Sequence, residues 1–280
     1  TLGEDNYYSW FIKKEFEPKS NVPQELPWSK PEIPKTGPLA GKVTDPNKPT
    51  VKYLKKSEME LLGLEDGPHK IHFFNFLHDG KKWIASLDSN ALNSTSLIVQ
   101  NFKLKTGEMR AHTLLKIDTK PGSAITLYEQ TETGVGAAIT VNSIYLSVSV
   151  VREKDAVTSR PGFLEESGAI TFMVESQQQL LASNQKRNGT FIERKLILTP
   201  QETSDLLKIY IETSQKKGGQ QAFNMNYKGC AATCYKLVNE TLSPDRKNSN
   251  TLKQLLSKLL SFNAQWSEFI FDWNDFIDKN

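Results

Sequence analysis

Two cysteines and four histidines carry most of the reactive potential of this sequence. Cys230 follows Gly229 in the run Asn226-Tyr227-Lys228-Gly229-Cys230-Ala231-Ala232-Thr233-Cys234, where the pattern predicts the start of a helix. Unpaired N–H groups and the macrodipole at such a start both lower a thiol's pKa. With a base beside it, a thiolate there is a nucleophile at neutral pH, and the first N–H groups of the helix can receive an oxyanion. The plainer reading of Cys230 is a small buried hydrophobe. Cys234 lies one turn further on, inside the helix, and is expected to pack. A bridge between the two would close a trivial loop, so no disulfide framework is expected.

The bases on offer are His69, His72, His78 and His112. The first three surround one apolar strand, and their spacing gives no standard ligand pattern, so no metal is expected. His112 heads the strand Ala111-His112-Thr113-Leu114-Leu115-Lys116-Ile117. A strand end is a good place to aim a base, although a histidine there also serves as an ordinary hydrogen-bonded strand residue. No phosphate loop, dinucleotide-binding glycine triplet, nucleophile-elbow serine or zincin histidine pair is present, and no organic cofactor is implied.

The elements that must position these residues change character along the chain. Residues 18–49 hold eight of the 13 prolines, which reads as an extended arm. Ahead of it, Tyr7, Tyr8, Trp10, Phe11 and Phe16 predict a segment that docks on the body. Short apolar runs at 71–77, 83–87, 96–104, 111–117, 124–129, 143–151, 169–174 and 191–198 predict strands, with turns at Asp79-Gly80, Thr106-Gly107, Pro121-Gly122, Pro161-Gly162 and Asn188-Gly189. Gly134-Val135-Gly136 reads as a further bend.

From Thr199-Pro200-Gln201-Glu202 the pattern is helical, with a capping box at the start, a stripe of Leu206, Leu207, Tyr210 and Ile211, and Gly218-Gly219 as the stop. A second helix is expected from Gly229 to about Leu242, before Pro244, and one or two closing helices between 251 and 277. The fold class is therefore α+β, an antiparallel sheet followed by helices. It divides into an arm at 1–55, a main domain at 56–245 and a helical extension at 246–280 that packs on it.

Composition narrows the partners. The 280 residues have 35 basic against 32 acidic side chains, a net charge of +3, which gives no nucleic-acid grip. Mean hydropathy is −0.48 and no apolar run approaches the length of a transmembrane helix. The triplets Asn93-Ser94-Thr95, Asn188-Gly189-Thr190 and Asn239-Glu240-Thr241 match a glycosylation pattern that is common by chance and receive no role.

Three segments together resemble the Lnb N-terminal periplasmic domain family, related to the lipoprotein intramolecular transacylase. The His112 strand is similar to the family's Gly-His-Thr-Phe-Leu-Arg-Ile strand. Phe191-Ile-Glu-Arg-Lys-Leu-Ile-Leu-Thr-Pro-Gln-Glu202 resembles its strand leading into a capped helix, and the Cys230 segment its Asn-Cys-Ala-Thr. The likeness runs from about 83 to 242.

The resemblance implies a permuted papain-like (NlpC/P60-like) fold, with the histidine strand before the cysteine helix, in a bacterial periplasmic or secreted protein. It implies Cys230 as the nucleophile that takes an acyl group and His112 as the base that makes the thiolate and later protonates the leaving group. The expected activity is cysteine-dependent acyl transfer or hydrolysis of an amide, ester or lipid-acyl bond, on peptide, cell-wall or lipid-acyl substrates. The alternative is an inactive papain-like binding or scaffolding module. A third residue usually orients the imidazole, and Thr126, Glu129, Asn142 and Ser147 are its candidates. Gly229 stands where the family usually has Asn, which brings the backbone closer to a substrate and removes a donor.

Overall fold

The structure, a computed structural model, describes residues 25–103, 109–156, 168–186, 188–223, 229–244, 246–247 and 277–278. The expected docking of the aromatic segment, the turns at Thr106-Gly107 and Pro161-Gly162, and the closing helices before Ile277 lie outside these residues.

Ten strands form one sheet. They are β1 (Lys52–Tyr53), β2 (Lys70–His78), β3 (Lys81–Asp88), β4 (Leu92–Lys103), β5 (Met109–Thr119), β6 (Ile125–Gln130), β7 (Val135–Val141), β8 (Ser143–Val151), β9 (Ala169–Glu175) and β10 (Thr190–Lys195). The helices are α1 (Lys56–Leu61), α2 (Gln177–Gln185), α3 (Pro200–Lys217) and α4 (Cys230–Thr241). The class is α+β, as the alternation of short apolar runs and later helical periodicity predicts.

The order across the sheet is β10-β4-β5-β8-β9-β2-β3-β6-β7, with β1 pairing β2. The expectation of an antiparallel sheet needs correcting: β2 and β9 run parallel through Phe76↔Val174 and Leu77↔Glu175, so the sheet is mixed. A short apolar run has the same composition in either direction, and only the path between strands sets it. The bend expected at Gly134 is the turn into β7, where Gly134 has φ +149°.

The central strands lack alternation because both their faces are covered. On one face, Leu206, Leu207, Tyr210 and Ile211 of α3 and Cys234, Leu237 and Val238 of α4 pack with Leu97, Val99, Leu115, Ile117, Leu146 and Val148. On the other, Leu180 of α2 packs with Ile98, Leu114 and Tyr145. Helix α3 starts as expected, with Thr199 accepting from the Glu202 N–H and Glu202 accepting from the Thr199 N–H. Helix α2 has a start signal of its own that the reading above passes over: Ser176, which accepts from the Gln179 N–H.

The expectation of an extended proline arm needs correcting: its described part is a series of turns, in which the N–H groups of Ser29, Ala40, Gly41, Lys42 and Lys48 donate to the carbonyls of Leu26, Gly37, Pro34, Leu39 and Asp45, and it is tied to the sheet. Trp28 Nε1 donates to the Thr131 carbonyl, Leu39 packs on Val151 and Ala169, and Thr44 bridges Glu153.

Candidate active site

The candidate residues converge where the β5–β8 ladder fails. From Asp118↔Ser143 to Leu114↔Ser147 the two strands pair in register, and beyond that rung β8 continues with β9 alone. Thr113, the next residue of β5, would otherwise lose its partner on that side. Helix α4 supplies one: the Thr113 N–H donates to Cys230 Sγ at 3.4 Å, and the Cys234 thiol donates to the Thr113 carbonyl at 3.9 Å. Two sulfurs one helical turn apart thus stand where a strand rung would be.

This contact joins residues far apart in sequence. Since the Thr113 nitrogen is bonded to the His112 carbonyl carbon, backbone dimensions hold Cys230 Sγ within about 6 Å of the His112 Cα. His112 itself pairs with Gln100 in β4, whose side chain reaches Asn184 of α2 at 2.8 Å. Strand alternation therefore sets His112 on the α2 face and Thr113 on the α4 face, so imidazole and thiol come from opposite faces of β5 at the gap left by β8.

His112 Nε2 lies 2.9 Å from Ser147 Oγ on the last paired rung. Ser147 is 3% exposed, and its carbonyl accepts from the Tyr210 hydroxyl at 2.9 Å, so its position is set by the core. Of the four candidates for a third residue, this is the one on the imidazole. Thr126 pairs with Ser86 and Thr140, Glu129 takes Lys81 at 2.6 Å, and the Asn142 carbonyl accepts from the Thr119 N–H.

Cys230 is half-buried. The lowered pKa expected at a helix start needs correcting: burial pushes it up, and the N–H groups of Thr113, Ala231 and Cys230 itself, with the Thr113 side chain, pull only partly back. Burial also holds the Cys234 thiol well above its ordinary range, with the nearby Cys230 adding to the effect. Gly229 is the N-cap of α4 at φ −73° and ψ 175°, an extended conformation open to any residue, and it makes no side-chain cap.

The other histidines lie elsewhere. His72 is buried with Nε2 at 2.9 Å from the Glu65 carbonyl, and burial lowers its pKa. His78 Nδ1 is 2.8 Å from Ser176 Oγ. Among the described residues no group of His, Cys, Asp and Glu is arranged to hold a metal ion, and no helix is long and apolar enough to cross a membrane.

Sequence reasoning missed Thr113, which holds the thiol through its backbone N–H and its side chain. Its neighbour His112 was the signal available, but a main-chain donor carries no residue-type signature.

No family model, curated protein or solved structure matches the chain.

Proposed function

We propose that this chain is a cysteine-dependent acyl-transfer enzyme or hydrolase of the bacterial envelope, periplasmic or secreted, built as a permuted papain-like fold. Its substrates are peptide, cell-wall or lipid-acyl compounds. The observation that carries the reading is the Thr113 N–H to Cys230 Sγ contact, which sets a helix-start thiol on the residue following His112.

Because burial favours the protonated form, Cys230 rests as the thiol, and His112 acts as a general base when substrate arrives. Thiol and imidazole come from opposite faces of β5, so the proton passes from sulfur to the ring by way of a water in the gap left by β8. The sulfur forms a bond to the substrate carbonyl carbon, and the oxygen takes the negative charge against the first N–H groups of α4. The tetrahedral centre then expels its alcohol or amine, which leaves with the proton held by His112. Water or an acceptor hydroxyl or amine next attacks the thioester, giving its proton to His112, and the thiol is regenerated. Ser147 orients the ring throughout.

A second reading, a papain-like binding module without turnover, is favoured by one observation: both thiols hydrogen-bond Thr113 and both are pushed up by burial, as suits structural cysteines. Alkylation rate against pH, read by mass spectrometry at each cysteine, separates the two. The enzyme reading expects labelling confined to Cys230 that His112→Ala slows. Slow labelling indifferent to His112 sinks it.

A further inference from the structure

Ser147 sits on the last rung that β8 shares with β5, and from the next residue on β8 pairs with β9 alone. Tyr210 of α3 reaches this point from the face of the sheet opposite His112. Its hydroxyl lies 2.9 Å from the Ser147 carbonyl and 2.8 Å from the Met173 carbonyl, and these two residues face each other across β8 and β9. The phenol is wholly buried and its ring stands edge-on to Phe172 with centroids 5.4 Å apart, so packing delivers the hydroxyl to one place. Its single proton, shared between two carbonyls, ties β8 to β9 on the rung where β8 is about to part from β5. The Ser147 side chain leaves the same residue on the α2 face, where its Oγ meets His112 Nε2 at 2.9 Å.

We propose that Tyr210 is a positioning residue for His112: its hydroxyl holds the backbone at Ser147 from one face of the sheet, and Ser147 Oγ passes that placement to the imidazole on the other. The inference rests on the acyl-transfer reading and adds to it a residue of the core, away from the reacting atoms. The link is short, since two hydrogen bonds of ordinary length and one residue of strand separate the phenol from the ring. A serine hydroxyl that moves by a fraction of an ångström shifts the ring it orients, and a misplacement of about 1 Å costs a positioned group about a hundredfold in rate. Loss of one anchor, with the β9 pairing intact, is a smaller displacement and a smaller loss. Burial holds the Tyr210 pKa well above its ordinary value, so the donor is present throughout the pH range of the chemistry.

The test is the rate of Cys230 alkylation against pH, read by mass spectrometry with thermal melts beside it, for the full chain carrying Tyr210→Phe, Ser147→Ala or both. Tyr210→Phe keeps the ring and removes only the hydroxyl. It is expected to slow labelling about fivefold and to change the pH profile in the same sense as Ser147→Ala. Because both act through one placement of the ring, the double variant should be no slower than Ser147→Ala at about tenfold, where independent effects would multiply to about fiftyfold. Placing 4-aminophenylalanine at position 210, which keeps a donor on the same ring, should restore the wild-type rate and profile, and it carries the test if Tyr210→Phe does not fold. A fall in Tm with rate and profile unchanged overturns the proposal, as do effects that multiply, or a folded amino variant with the profile of Ser147→Ala. Labelling slowed by His112→Ala and Ser147→Ala but not by Tyr210→Phe overturns this inference alone, whereas labelling indifferent to His112→Ala overturns it together with the acyl-transfer reading.

Discussion

Among the described residues two histidine–serine pairs have nearly equal length, and only one of them is a candidate site. His78 Nδ1 is 2.8 Å from Ser176 Oγ, and His112 Nε2 is 2.9 Å from Ser147 Oγ. In the first pair the serine is already committed, capping α2 through the Gln179 N–H at 3.2 Å, and the His78 ring stands edge-on to Trp83 with centroids 5.5 Å apart. No cysteine contacts that pair. In the second, the ladder beside the histidine has ended and the sulfur of a helix-start cysteine has moved into the gap. A hydrogen bond to a histidine is therefore common currency in this fold; what distinguishes the second pair is the thiol it could deprotonate.

The comparison breaks first at the sulfur. Cys230→Ser is expected to reduce acyl-enzyme formation by about a thousandfold or more, measured as the covalent adduct of an activated ester by mass spectrometry, while Cys234→Ser retains it. Equal loss in both variants would mean that the helix start, and not one nucleophile, is what matters. Next in size is the base. His112→Ala should slow alkylation of Cys230 by about a hundredfold, within the range for general-base catalysis, whereas His78→Ala should leave the rate unchanged. Equal effects of the two would erase the distinction drawn above.

The serines sharpen it further. Ser147→Ala should lower the rate about tenfold and change its pH profile, since the ring loses its orienting partner. Ser176→Ala should leave the profile alone and cost about 1 kcal/mol of stability through the lost helix cap, a fall in Tm of about 2 °C. Thermal melts run beside the rate measurements distinguish orientation from capping.

The smallest effect is on stability against pH. Burial raises the pKa values of Cys230, Cys234 and Tyr210, so the folded state holds their protons more tightly than the unfolded chain does. Their contribution is complete below the unfolded thiol value of about 8.5 and is lost as pH rises from there through the folded values. Denaturant midpoints should fall as pH rises above about 9, and Cys234→Ser should flatten that fall.

The helices illustrate how far local signals reach. Thr199, Pro200 and Glu202 announce the start of α3, and the stripe of Leu206, Leu207, Tyr210 and Ile211 announces the face it buries, because caps and periodicity act within a few residues. Gly229 and Pro244 bracket α4 for the same reason. The eight apolar runs were legible as strands, but β1 and β7 were not: one is two residues long, and the other has a glycine and two alanines in place of large apolar side chains.

The candidate site divides along the same line. The sequence by itself determined that Cys230 begins a helix, since that follows from residues adjacent in the chain; it set His112 at the head of a strand, whereas β5 starts at Met109 and His112 is its fourth residue, paired with Gln100. The sequence also left four polar residues eligible to hold the imidazole. Only the tertiary structure decided for Ser147, through the register Leu114↔Ser147. It also decided that β8 parts from β5 one residue short of His112's neighbour, that Thr113 offers its N–H to the sulfur, and that burial protonates the resting thiol. Register, strand order and desolvation depend on which distant segments pack together, and no short window of sequence contains them.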